Sequence, residues 1–213
     1  LGFDDGKGYR KNWCNTVERA VGRVVEEYGE QSSILMIGRY NFDRDQLIRY
    51  GDFVPLNDED LRSKKYPKVK IKFLTAHSSK GLGYDNVILV NMIDNKFGFP
   101  SQLEDDPIMK LVIHYDTSLP FAEERRLFYV GATRARKRLC LAAASSRFRF
   151  GEIESLPSRF IREVSPELVE ERDLRKSPYR DYGTAAPRPA ARRSAEAGEG
   201  RHYVFEAEEI MRP

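Results

Sequence analysis

The chain has 213 residues, a net charge of +3 and 32% charged side chains, enough for one domain of about 150 residues with extensions. A charge that small does not by itself argue for nucleic-acid binding, and no apolar run approaches the roughly 20 residues that span a bilayer. Cys14 and Cys140 lie far apart among apolar neighbours, which predicts reduced, buried thiols and a cytosolic setting rather than a disulfide or metal framework.

The opening "LGFDDGKGYR" has neither a Met nor the apolar core of a secretory signal, and reads as the start of an excised fragment. Val17, Ala20, Val21, Val24, Val25 and Tyr28 recur at helical spacing and predict an amphipathic helix over 11–28. "SSILMIG" (32–38) predicts a buried strand, 43–50 a short helix, and the turn-rich 51–68 an exposed connection. The next strand is predicted over 69–75, with Val69, Ile71 and Phe73 on one face and Lys68, Lys70 and Lys72 on the other.

"NVILVNM" (86–92) and "RLCLAAA" (138–144) are continuous apolar runs, as expected of strands buried on both faces. The stretch "DNKFGFPSQLEDDP" between them predicts a loop. Residues 121–137, rich in helix formers with acids in the first turn, predict a helix. Strands alternating with helices predict an α/β fold, a parallel sheet covered by helices. Residues 177–200 are rich in Ala, Pro, Arg and Gly with few large apolar side chains, which predicts a linker without a fixed fold. The division expected is a domain over 1–168, an extension and linker over 169–200, and a terminal segment over 201–213. That last segment reads as an unstructured end, a peptide that docks on a protein partner, or the start of another module.

Two stretches carry chemistry. "TAHSSKGLGYDNVILV" (75–90) interrupts two strands with small and polar residues, placing free backbone N–H groups, Ser and Lys at a strand's carboxyl end, where open parallel sheets hold ligands. His77 alone reads more readily as a structural histidine, and no acid stands at an offset that suggests a Ser–His hydrolase. The second stretch, "AEERRLFYVGATRARKRL" (122–139), belongs to a segment (121–150) with eight Arg or Lys against two Glu, a local excess of 8 − 2 = +6. On a helix, Leu127, Val130 and Gly131 would face a sheet and leave arginines for an anion; a solvated basic helix is the competing reading.

Together, in this order and about 45 residues apart, the two stretches resemble motifs V and VI of the Rep/UvrD-type superfamily 1 DNA helicases. "GRYN" (38–41) resembles the motif between IV and V, and "RFGEIESLPSRFIREVSPEL" (149–168) the segment after VI. The resemblance implies the second RecA-like domain of a two-domain motor, with ATP in the cleft between this domain and an N-terminal RecA-like domain of the same polypeptide. Neither a "GxxxxGK[ST]" loop nor a "DExx" strand end occurs in the chain. The phosphate-binding loop and the Mg²⁺ ligands are therefore expected elsewhere, with no metal site here and no ATP hydrolysis by these residues alone.

By the same resemblance Arg134 is the arginine finger. Arg126, Tyr129, Gly131 and Gly83 belong to the ATP cleft, and Glu124 and Arg125, with Arg126, hold motif VI by ion pairing. Arg39, Asn41, Thr75, His77 and Ser78 are expected to meet single-stranded DNA, and Lys80 and Gly81 to shape the motif V turn. Phe150, between Arg147 and Arg149, is read either as a base-stacking aromatic or as a packing residue. Gly83 departs from the pattern, since many relatives have a Glu there that meets the nucleotide sugar; Asp85 is the nearest acid to replace it. Only about 30 residues separate "GRYN" from motif V, so the accessory subdomain of Rep and UvrD is missing and the layout is closer to helicase IV. Motif IV is not visible, and is expected before Leu1. The function implied is an ATP-dependent helicase translocating 3′ to 5′ on single strands. The alternatives are a binding module derived from one, or part of a helicase–nuclease fusion.

Overall fold

The computed structural model describes residues 7–103, 121–145, 156–173 and 201–208. At its centre β1 (Ser33–Gly38) runs parallel to β4 (Lys70–Thr75) on one side and β5 (Tyr84–Leu89) on the other. β7 (Ala135–Ser145) continues the parallel set beside β5. The register pairs Gly38 with Thr75 and Ile37 with Leu89, so β1 and its neighbours end together at one carboxyl edge.

The predicted parallel sheet is this central part; the flanks are antiparallel. β2 (Phe53–Pro55) and β3 (Asp60–Ser63) form a hairpin on β4. β10 (Arg201–Glu208) pairs antiparallel with β7, and β9 (Glu170–Asp173) with β10. The order is β2-β3-β4-β1-β5-β7-β10-β9. Three expectations change accordingly. The stretch 51–68 holds a hairpin, whose strands are too short to show a period; its turn is set by Asn57 Oδ1, which accepts N–H bonds from Glu59 and Asp60. Residues 201–208 form a strand, and the sheet runs on past residue 168. The helix predicted to reach 137 ends at Ala132, because the chain turns at Thr133 and Arg134 and Tyr84 N–H bonds to the Arg134 carbonyl at 2.9 Å. The parallel ladder with β5 thus overrides the helical preference of Ala135, Arg136 and Lys137.

β1 is buried on both faces, which explains its unbroken apolar run. Ile34 and Met36 face α1 (Lys7–Tyr28) with Ile71, Phe73, Ile88 and Cys140. α1 answers with Trp13, Cys14, Val17, Ala20, Val21 and Val24, one stripe at helical spacing. Neither Cys14 nor Cys140 is in a disulfide and both are buried; burial pushes the Cys14 thiol well up. Leu35 and Ile37 face the other side with Leu89, Leu139 and Leu141, packed beneath α3 (Ala122–Ala132) and α4 (Arg159–Glu163). A further helix, α2 (Asn41–Tyr50), follows β1 directly. β6 (Ile93–Asp94) and β8 (Leu156–Pro157) form a separate two-stranded pair, with Asp94, the first residue of the predicted loop, inside β6.

Candidate functional site

Among the described residues, the loops after β1, β4 and β5 line the carboxyl edge. After β4, Thr75 Oγ1 lies 3.0 Å from Ser78 Oγ and accepts the Ser78 N–H at 3.3 Å, while buried Ser79 donates to the Ala76 carbonyl at 2.9 Å. These bonds close a tight turn that leaves His77, Ser78 and Lys80 exposed. Gly81 completes it with φ +83°, a conformation that a side chain would strain. In the neighbouring loop after β1, Asp43 Oδ2 accepts the N–H groups of Arg39 and Tyr40, each at 3.1 Å, as an acid in the first turn of a helix does. Its Oδ1 accepts from Asn91 of the loop after β5, at 3.0 Å. Burial pushes the Asp43 carboxyl up to about 7.

Glu124 ties these loops to α3. Its carboxylate receives Arg39 Nε at 2.9 Å and Arg39 Nη2 at 2.7 Å, and also the Ser101 N–H at 3.0 Å. Burial pulls the Arg39 guanidinium down, but the Glu124 carboxylate outweighs it and holds the group above its ordinary value. Arg125 pairs with Glu163 of α4 at 2.8 Å, and Arg126 pairs with Glu123. The three residues assigned to ion pairing in motif VI are all ion-paired. Arg39, expected at DNA, is held by Glu124, while Asn41 is exposed.

α3 starts beside the loop after β1, which Glu124 holds through Arg39, and Thr133 and Arg134 lead from its end to the start of β5 and β7. Its 11 residues cover about 16 Å at 1.5 Å each. Gly131 is buried against the sheet, with Leu89 Cδ2 3.0 Å from where a Cβ would stand, so it serves close packing of the helix and does not line an open cleft. Just beyond, the Arg134 guanidinium is fixed three times: Nε to the Val130 carbonyl at 2.8 Å, Nη1 to the Leu82 carbonyl at 2.9 Å, and Nη2 to Thr133 Oγ1 at 2.9 Å. Each terminal nitrogen keeps one N–H for another acceptor. Tyr129 is 68% exposed on the same end of the helix.

Gly83 adjoins this arginine. A Cβ there would come within 2.9 Å of Arg136 Nε, so the missing side chain leaves room for a second guanidinium. Asp85, the candidate replacement acid, is engaged with Lys137 at 2.7 Å. Phe150 lies outside the described residues. Sequence reasoning missed Asp43, Asn91 and Ser101, which lock the loops together; only the acid three residues after Tyr40 signalled any of them, as a helix-start residue. Among the described residues no group of three or more His, Cys, Asp or Glu could hold a metal ion, and no helix is long and apolar enough to cross a membrane.

A mixed sheet of this order covered by helices is a RecA-like α/β fold, as in the C-terminal domain of helicases. The family model described as UvrD-like helicase C-terminal domain matches residues 34–146, more than half of the chain, and the chain belongs to that family. It is 42% identical over 106 residues to DNA helicase II of Escherichia coli strain K12, covering 49% of this chain and 13% of that protein. It is 38% identical over 101 residues to ATP-dependent DNA helicase PcrA of Leuconostoc citreum (47% and 12%). To DNA helicase IV of Escherichia coli strain K12 it is 38% identical over 93 residues (44% and 14%). The matched part of the chain thus spans only about an eighth of each of these relatives. No solved structure is a significant match to the chain.

Proposed function

We propose that the chain is the C-terminal motor domain of an ATP-dependent DNA helicase that moves 3′ to 5′ along single-stranded DNA. The observation that carries this reading is α3, one rigid helix joined to the Arg39 loop by Glu124 at its start and followed at its end by Arg134. A shift of either end is transmitted to the other, as coupling of strand movement to nucleotide turnover requires.

In this reading Arg134 is the arginine finger. Its spare N–H groups fit the oxygens of a terminal phosphate, and its three anchors fix it before charge develops there. Arg126 and Tyr129 border the same cleft, and Gly131 lets α3 lie close to the sheet. ATP, once bound, supplies a phosphoanhydride whose hydrolysis releases free energy. The chain has neither a "GxxxxGK[ST]" loop nor a "DExx" strand end, and in this reading the Mg²⁺ ligands belong to the N-terminal RecA-like domain of the parent polypeptide. Arg39, Asn41, Thr75, His77 and Ser78 form the strand-contacting edge, with Lys80 and Gly81 shaping its turn.

The test is strand separation by the full-length protein with ATP, on duplexes carrying a 3′ or a 5′ single-stranded tail. Unwinding of the 3′-tailed substrate alone is expected. Unwinding from the 5′ tail alone would overturn the direction, and absence of any DNA-dependent ATP hydrolysis would overturn the motor reading.

A further inference from the structure

Phe97 is 49% exposed, yet its ring is firmly backed. It meets Phe42 edge to face at 5.8 Å, and Phe42 stacks on Tyr40 at 5.0 Å. The loop beneath is pinned: Asn91 Nδ2 donates to the Phe97 carbonyl at 3.1 Å, Phe97 N–H donates to Asn95 Oδ1 at 2.9 Å, and the Tyr40 and Ser101 hydroxyls meet at 2.6 Å. Half of a large apolar ring is thus held in water on a rigid support. Core packing does not require it there.

The charges around the ring select what covers it. Lys96 Nζ lies 5.8 Å from the Phe97 ring centre, and the Arg39 guanidinium lies 4.7 Å from that of Tyr40. Among the described residues the nearby acids are engaged: Asp43 with backbone N–H groups and Asn91, Asp94 with Arg159, and Glu124 with Arg39. An aromatic face beside cations, with each neighbouring carboxylate among the described residues engaged, suits a partner that combines flat rings with negative charge. The ring also sits on the loop after β5, beside the loops after β1 and β4 along one edge.

We infer that Phe97, backed by Phe42 and Tyr40, is a stacking step for an unpaired nucleobase of the strand held at the carboxyl edge. This inference rests on the proposed function, which supplies the strand. It adds a base contact where the residues named above reach the sugar-phosphate backbone.

The experiment measures binding of the full-length protein, without nucleotide, to an oligothymidylate and to an abasic oligonucleotide of the same length. Phe97→Ala is compared with Phe97→Tyr and wild type. The expected result is that Phe97→Ala weakens oligothymidylate binding about five- to hundredfold, leaves abasic binding unchanged, and is rescued by Phe97→Tyr. Equal weakening on both strands would mean that the ring only supports its loop, and would overturn the inference. So would unchanged binding on both. A wild-type protein that binds neither strand would overturn the proposed function as well, whereas a wild type that binds both with an indifferent Phe97→Ala would overturn the stacking step alone.

Discussion

Arg39 and Glu124, 85 residues apart in sequence, meet through contacts of 2.7 to 3.0 Å at the carboxyl edge of the sheet. The two side chains are only 17% and 12% exposed, so water screens the pair weakly. The same carboxylate holds the Ser101 N–H, which makes it the joint between α3 and two loops.

Glu124→Gln keeps the shape of that joint and removes its charge. Loss of charge-assisted bonds to a half-buried guanidinium is expected to cost about 1–3 kcal/mol, read as a lower thermal midpoint. DNA stimulation of ATP hydrolysis is expected to fall more than the basal rate. Equal falls in both rates would mean that the pair supports folding and not coupling.

Arg138 is 2% exposed and faces Glu27, in the last turn of α1. Removing the carboxylate opposite a buried guanidinium is costly. Glu27→Gln is expected to destabilise the protein by about 2–4 kcal/mol in denaturant unfolding, with little change in DNA affinity. A loss below about 0.5 kcal/mol, the scale of ordinary surface changes, would contradict this.

Asp43 gives a pH dependence of definite sign. Its carboxyl is raised by burial from 3.8 to about 7 in the folded protein, so between those values the folded state binds more protons than the unfolded state. Its contribution is full below the unfolded value and is lost as pH rises through about 7. Unfolding free energy is expected to fall by up to about 1.4 kcal/mol per pH unit in that window, relative to Asp43→Asn measured alongside. A difference that grows with pH would contradict the assignment.

The central strands were legible because they follow simple periods, and the two motifs because their residues resemble those of a known helicase family. The run "SILMIG" can only be a strand buried twice, and the α1 stripe at Val17, Val21 and Val24 can only face a core. Other features depend on contacts that no local pattern encodes. The end of α3 at Ala132 is decided by a ladder with Tyr84, 50 residues earlier in the chain. The strand at 201–208 exists because β7 offers an open edge, and the Glu124–Arg39 pair joins two segments that carry separate signals. At Gly83 the sequence showed a missing acid; only the fold showed Arg136 filling that space.

The most direct measurement is DNA-stimulated ATP hydrolysis by the full-length protein, comparing wild type with Arg134→Ala. The account predicts a fall in turnover of at least about a hundredfold with single-strand affinity retained, because the anchored guanidinium acts on the transferring phosphate and not on the strand. Turnover within a fewfold of wild type would contradict it and remove Arg134 from the reaction.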